Sequence, residues 1–77
     1  MRIIGSIPHP ECKITLFSWN QKFLIKFELG LCEQTFKVPH EDVADEDDLR
    51  GRISPAFIES ALLRFGQMHA TLAELTH

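Results

Sequence analysis

Long apolar runs, clustered glycines and patterned cysteines are all missing from this chain of 77 residues. No stretch approaches the roughly 18 apolar residues a helix needs to cross a bilayer, so no membrane role is expected. The opening Met1-Arg2-Ile3-Ile4-Gly5 is broken by Pro8 and Pro10 too soon to read as a signal sequence, and a cytoplasmic location is expected. The four glycines are scattered, which excludes a glycine-rich phosphate loop. None of Ser6, Ser18, Ser54 and Ser60 sits in a nucleophile-elbow pattern. The two cysteines, Cys12 and Cys32, stand at no zinc-binding spacing from His9, His40, His69 or the terminal, expectedly disordered His77. A chain this small is expected to offer no pocket of convergent polar groups. The reading is therefore not an enzyme, with no catalytic residue, no metal and no cofactor.

What is present is the composition of an ordinary globular domain: 44% apolar and 25% charged. The length allows one domain with a small core, and such a core is marginal unless a second subunit helps, which raises the prospect of a homodimer. The net charge of −3 is unevenly spread. Residues 40–52 hold Glu41, Asp42, Asp45, Glu46, Asp47 and Asp48 against Arg50 and Arg52, a local −4 that leaves +1 elsewhere. The acidic run lacks the alternating acids and central glycine of a calcium loop and reads as a solvated segment. No internal repeat interrupts the single-domain reading.

Residues 12–38 alternate almost without a break and predict three antiparallel strands, Cys12 to Trp19, Lys22 to Leu29 and Cys32 to Val38. Gly30-Leu31 suits a type II′ turn, with glycine where φ must be positive. Asn20-Gln21 fits a type I′ turn poorly at Gln21, so a four-residue loop from Trp19 to Lys22 is the alternative; both keep the same pairing. Counting outward from these turns puts Ile14/Phe27/Gln34, Leu16/Ile25/Phe36 and Ser18/Phe23/Val38 on one face, the expected core face. The other carries Lys13/Glu28/Glu33, Thr15/Lys26/Thr35, Phe17/Leu24/Lys37 and Trp19/Lys22. Opposite charges side by side on this second face support the register independently of the apolar pattern. In the same register Cys12 and Cys32 flank Leu29 about 9.6 Å apart, beyond the roughly 7 Å limit of a disulfide, so both are expected as free thiols.

Ser54 as N-cap and Pro55 as first residue predict a helix from 54 to about 75 or 76. Ile58, Ala61, Leu62, Phe65, Met68, Leu72 and Leu75 fall in one arc, with Phe57 and His69 at its borders. His69 there reads as a packing histidine. A helix of that length outreaches a strand of seven or eight residues, so its last turns are expected to overhang the sheet. The acidic segment 45–50 predicts a short helix capped by Asp45 and stopped by Gly51. Residues 1–11 read as an arm, either a short edge strand or a loose segment folded over the second face. The fold class is thus α+β, a three-stranded meander on one C-terminal helix in the order β-β-β-α.

One helix covers one side of a sheet, so the second face is the expected working surface. Its candidate residues are Phe17, Trp19 and Leu24, an apolar patch, with Lys22, Lys26 and Lys37 interleaved. Contiguous exposed apolar area marks association, with a homodimer or another protein as partner. Aromatics among lysines on an open sheet also suit single-stranded nucleic acid, although Glu28, Glu33 and the acidic loop oppose it. The stretches Ser18-Trp19-Asn20-Gln21-Lys22-Phe23 and Glu33-Gln34-Thr35-Phe36-Lys37 resemble segments of short bacterial proteins that continue into an acidic loop and a C-terminal helix. That resemblance spans residues 12 to 75, implies a cytoplasmic protein, and carries over no functional residue.

Overall fold

The computed structural model describes residues 1–76, and these form a four-stranded antiparallel sheet with one long helix on it, an α+β arrangement. The strands are β1 (Arg2–Ile7), β2 (Lys13–Trp19), β3 (Lys22–Leu29) and β4 (Cys32–Pro39), adjacent in chain order. A single 3₁₀ turn at His40–Asp42 leads to α1 (Glu46–Arg52) and then α2 (Pro55–Thr76). The pairings Ile14↔Phe27, Leu16↔Ile25 and Ser18↔Phe23, continued as Phe27↔Gln34, Ile25↔Phe36 and Phe23↔Val38, are those that alternation requires. Cys12 lies just before β2 rather than within it, and β4 runs one residue beyond Val38.

The two hairpins solve the same problem differently. Gly30 has φ +62° and Leu31 does not leave the ordinary region, the pattern of a type II′ turn. Asn20 and Gln21 both have positive φ, at 53° and 62°, so the tight two-residue turn forms and the four-residue alternative does not. Gln21 accepts the left-handed conformation because a two-residue turn twisting with the strands preserves Trp19↔Lys22, and the Gln21 carbonyl gains the His40 N–H at 3.0 Å. Tertiary pairing outweighs a local preference of about 1 kcal/mol.

The N-terminal segment pairs with β2 as an edge strand instead of folding over the open face. Ile4 and Ile7 are three residues apart, so strict alternation would send them to opposite faces. The register shifts between Ile3 and Gly5, leaving Ile4 as an extra residue, and this bulge lets both isoleucines pack against the core. Ile3 then stands beside Phe17 on the open face, 67% exposed. The guanidinium of Arg50 lies over Gly5, where any Cβ would collide with it, and donates to the Ser6 carbonyl at 3.0 Å. Gly5 thus gives α1 a place to anchor on β1.

The core is a three-ring cluster, with Phe27, Phe36 and Phe57 at centroid separations of 6.0, 5.2 and 5.9 Å, surrounded by Ile14, Leu16, Ile25, Leu49, Ile53, Ile58, Ala61 and Phe65. Both helix starts are capped as the residues predict. Ser54 Oγ accepts from Phe57 N at 3.2 Å, and Asp45 Oδ1 from Asp48 N at 2.8 Å, while Asp48 reaches back to Ala44 N at 2.9 Å. Gly51 does not stop α1, which continues to Arg52. Gln34 fixes α2 to the sheet edge, donating to the Ala61 carbonyl at 2.8 Å and accepting from Arg64 at 2.9 Å. The last tie between α2 and the sheet is His69. Its Nε2 meets the Leu29 carbonyl at 2.9 Å and its ring lies on Phe65, as expected of a packing histidine. Beyond it no described residue is buried, and Leu75 is 82% exposed, so the apolar arc outlasts the surface it can cover. A helix of 22 residues spans about 33 Å, against about 26 Å for an eight-residue strand.

Candidate interaction surface

The open face is built by the residues that alternate away from α2. One row across it reads Ile3, Phe17, Leu24, Lys37 from β1 to β4, and the row beside it ends in Trp19 and Lys22. Phe17 is half-buried and Trp19 is 51% exposed. Leu24 is only 6% exposed although it belongs to no part of the core cluster and no helix lies above it. It is screened by its neighbours on the same face, where Phe17 and Lys37 flank it across the sheet and Lys22 and Lys26 along the strand. The candidate residues Phe17, Trp19, Leu24, Lys22, Lys26 and Lys37 therefore do share one face, and Ile3 enlarges the patch. Ile3 was not among the expected residues because only the bulge at Ile4 reveals which way it points.

The charges divide the face into two halves. Glu28 and Glu33 are directly opposite each other, a like-charge pair that is unfavourable by itself. Lys26 relieves it, with its ammonium 3.8 Å from Glu28 and 3.4 Å from Glu33. Lys22 and Lys37, at the aromatic end, form no ion pair among the described residues. Lys13, Lys22, Lys26 and Lys37 against two glutamates leave this face at +2 in a chain of −3, so the rest of the molecule carries −5. The sheet face and the acidic loop are of opposite sign.

The remaining chemistry-bearing groups are accounted for by packing. Cys12 is a buried free thiol whose pKa is raised, chiefly by burial and further by Glu11, so it stays protonated near neutrality; its sulfur lies 3.9 Å from His9 Nδ1. Cys32 is also free and half-buried at the start of β4. Ser18 Oγ and His40 Nε2 are 3.2 Å apart, but the His40 ring packs on Phe23 at 4.2 Å and no carboxylate orients it among the described residues. Asp48 is held below its ordinary pKa, first by the Ala44 N–H and then by Arg52. The acidic loop is thus fixed by internal caps. No group of three or more His, Cys, Asp or Glu among the described residues could hold a metal ion, and His77 lies outside them. No helix among the described residues is long and apolar enough to cross a membrane.

Compared with known proteins, the chain matches no family model, no curated protein and no solved structure at a significant level. The functional reading thus rests on the surface alone.

Proposed function

We propose that this chain is a non-enzymatic, cytoplasmic association module that works through the open face of its sheet, and that the occupant of that face is a second copy of the chain. The observation that carries this reading is the apolar row Ile3–Phe17–Leu24 with Trp19 beside it, on a face over which the described residues lay no further element. Aromatic groups with partly exposed rings contribute most where they are fully desolvated at the centre of an interface. A two-fold axis lying in the face and running through the patch would set Phe17, Trp19 and Leu24 against their own copies and desolvate both patches at once. A self-contact thus buries two such patches in one association. Light scattering on the intact chain tests it. The double variant Phe17→Ala, Trp19→Ala converts a dimer to a monomer while far-UV circular dichroism is unchanged; an unaltered mass in a folded double variant removes the proposal.

A second reading has its own support. Lys22 and Lys37 lie beside Trp19 and Phe17 without ion-pair partners among the described residues, the combination of stacking rings and free cations that single-stranded nucleic acid requires. It predicts quenching of the single Trp19 emission by short oligonucleotides, reversed by added salt. The net −3 and the two glutamates on the same face place it behind self-association. No quenching at low ionic strength ends it.

A further inference from the structure

The sheet has two edges, and among the described residues only one of them is closed off. At β1 the bulge at Ile4 distorts the edge, and Arg50 from α1 lies over Gly5 and takes the Ser6 carbonyl. These are the devices by which proteins keep an edge strand from pairing with another chain. At β4 there is no register shift from Cys32 to Pro39. The two-residue turn makes Leu29↔Cys32 a hydrogen-bonded pair, so the N–H and C=O groups of Cys32, Gln34, Phe36 and Val38 point inward to β3. Those of Glu33, Thr35 and Lys37 point outward, and these residues are exposed. Pro39, which has no N–H to offer, falls on the outward set and ends the usable edge at Lys37.

We infer that the β4 edge is a self-recognition strand, which pairs antiparallel with β4 of a second copy about a two-fold axis through Thr35. The sequence Glu33-Gln34-Thr35-Phe36-Lys37 is complementary to itself in reverse. Centred on Thr35, the pairing sets Thr35 against its own copy and Glu33 against Lys37 twice over, with every outward backbone group matched. Registers centred on Glu33 or Lys37 oppose like charges, and those centred on Gln34 or Phe36 leave the charges facing Thr35, Leu31 or Pro39. One register is therefore selected by charge. It also answers an imbalance within the single chain, where one lysine, Lys26, serves both Glu28 and Glu33 while Lys37 has no ion pair among the described residues. The dyad brings the second copy's Lys37 to Glu33. The product is an eight-stranded sheet with both helices on one side and the two open faces merged into one. The side chains of Glu33 and Lys37 also border the open face, but the backbone groups involved belong to the edge alone, so amide exchange separates the two proposals.

Sedimentation equilibrium on the whole chain, with charge reversals, tests the edge. The edge alone gives twice 8.8 kDa, and four times that mass with the open face engaged as well; Glu33→Lys or Lys37→Glu alone raises the dissociation constant of the edge contact roughly tenfold or more. The combined swap Glu33→Lys, Lys37→Glu restores the wild-type value, a rescue that a merely structural role would not produce. Amide hydrogen exchange on the unaltered chain gives a second readout that requires no variant. The Glu33, Thr35 and Lys37 N–H groups, which receive no partner within the monomer's own sheet, are protected at dimer concentration and exposed on dilution. Free exchange of these three amides at all concentrations, a wild type that stays at 8.8 kDa, or folded charge variants with unaltered mass overturns the inference. Dissociation by Phe17→Ala, Trp19→Ala but not by the charge reversals assigns association to the face instead of the edge, and the opposite result assigns it to the edge.

Discussion

The two faces of this sheet are made by the same strands and the same alternation, yet they are stabilised in different ways. Under α2, every row brings a large apolar side chain against another layer, and Phe27, Leu16 and Phe65 are completely buried. On the open face only Leu24 and Thr15 are buried, and both are covered by neighbours within the same sheet. Burial under a second layer removes a side chain from water and surrounds it with dense contacts, whereas lateral cover by lysine stems and a phenyl ring gives the first benefit and little of the second. The comparison teaches that an apolar residue can be inaccessible without belonging to a core, and that its contribution to stability then depends on mobile neighbours.

Truncations on the two faces should separate these contributions, and urea unfolding reads them. Phe27→Ala removes the ring at the centre of the aromatic triangle and is expected to cost about 3–5 kcal/mol, close to the whole stability of a domain this size. A well-folded Phe27→Ala variant with an unaltered midpoint would contradict the layering described above. Leu24→Ala is expected near the lower end for a buried leucine, about 2 kcal/mol, since lysine and phenylalanine side chains can settle into the space. A loss as large as that at Phe27 would mean that the open face is packed as tightly as the core. At half-exposed Trp19 the change to alanine should alter monomer stability by under about 1 kcal/mol, so any larger effect on apparent stability must scale with protein concentration.

Smaller effects sharpen the contrast between strained and unstrained glycines. Gly66 lies in α2 with open space around its Cβ position, and Gly66→Ala should stabilise the chain by about 0.5–1 kcal/mol. Gly30→Ala should act in the opposite sense, since φ is +62° there and the new methyl group approaches His69 Nε2. Thermal melts of the two variants on opposite sides of the wild type confirm the pair; two shifts of the same sign refute it. The smallest change concerns acid. Asp48 has a folded-state pKa below its unfolded value, so the stability it lends to α1 is complete above the ordinary carboxylate range and is lost as pH falls through the depressed folded value. Asp48→Asn should therefore be measurably less stable than the wild type at neutral pH, and the difference should shrink on acidification. A gap that widens towards low pH would show the sign to be wrong.

How much of this could be read from the sequence follows from where the information resides. The register of β2, β3 and β4 was legible because a slip by one residue would reverse every side chain, so the apolar alternation leaves one answer even though it sets Glu28 against Glu33. The start of α2 was legible in Ser54-Pro55, and its overhang in simple length. The placement of residues 1–11 was not, since Ile3, Ile4 and Ile7 satisfy no single period; only the bulge reconciles them, and bulges carry no reliable local signature at such a site. Gln21 misled for a related reason, because a turn imposed by two committed strands overrides the preference of one residue. Phe17, Trp19 and Leu24 were correctly placed on one face, but that Leu24 is hidden there depends on side-chain positions that alternation cannot supply. Which strands form the two sheet edges, and that only β4 is left open, is likewise a property of strand order, and strand order required knowing that β1 pairs with β2.

The part of α2 past His69 has a mechanical consequence. Those last two turns hold no buried residue among the described ones and make no hydrogen bond to the sheet, so they open and reclose more readily than the portion clamped by Gln34. The stretch from Thr71 to Thr76 therefore acts as a lever arm: cutting the helix back to Ala70 should leave the melting behaviour of the remaining domain intact, and a cargo grafted there would be carried clear of both the sheet edge and the aromatic patch.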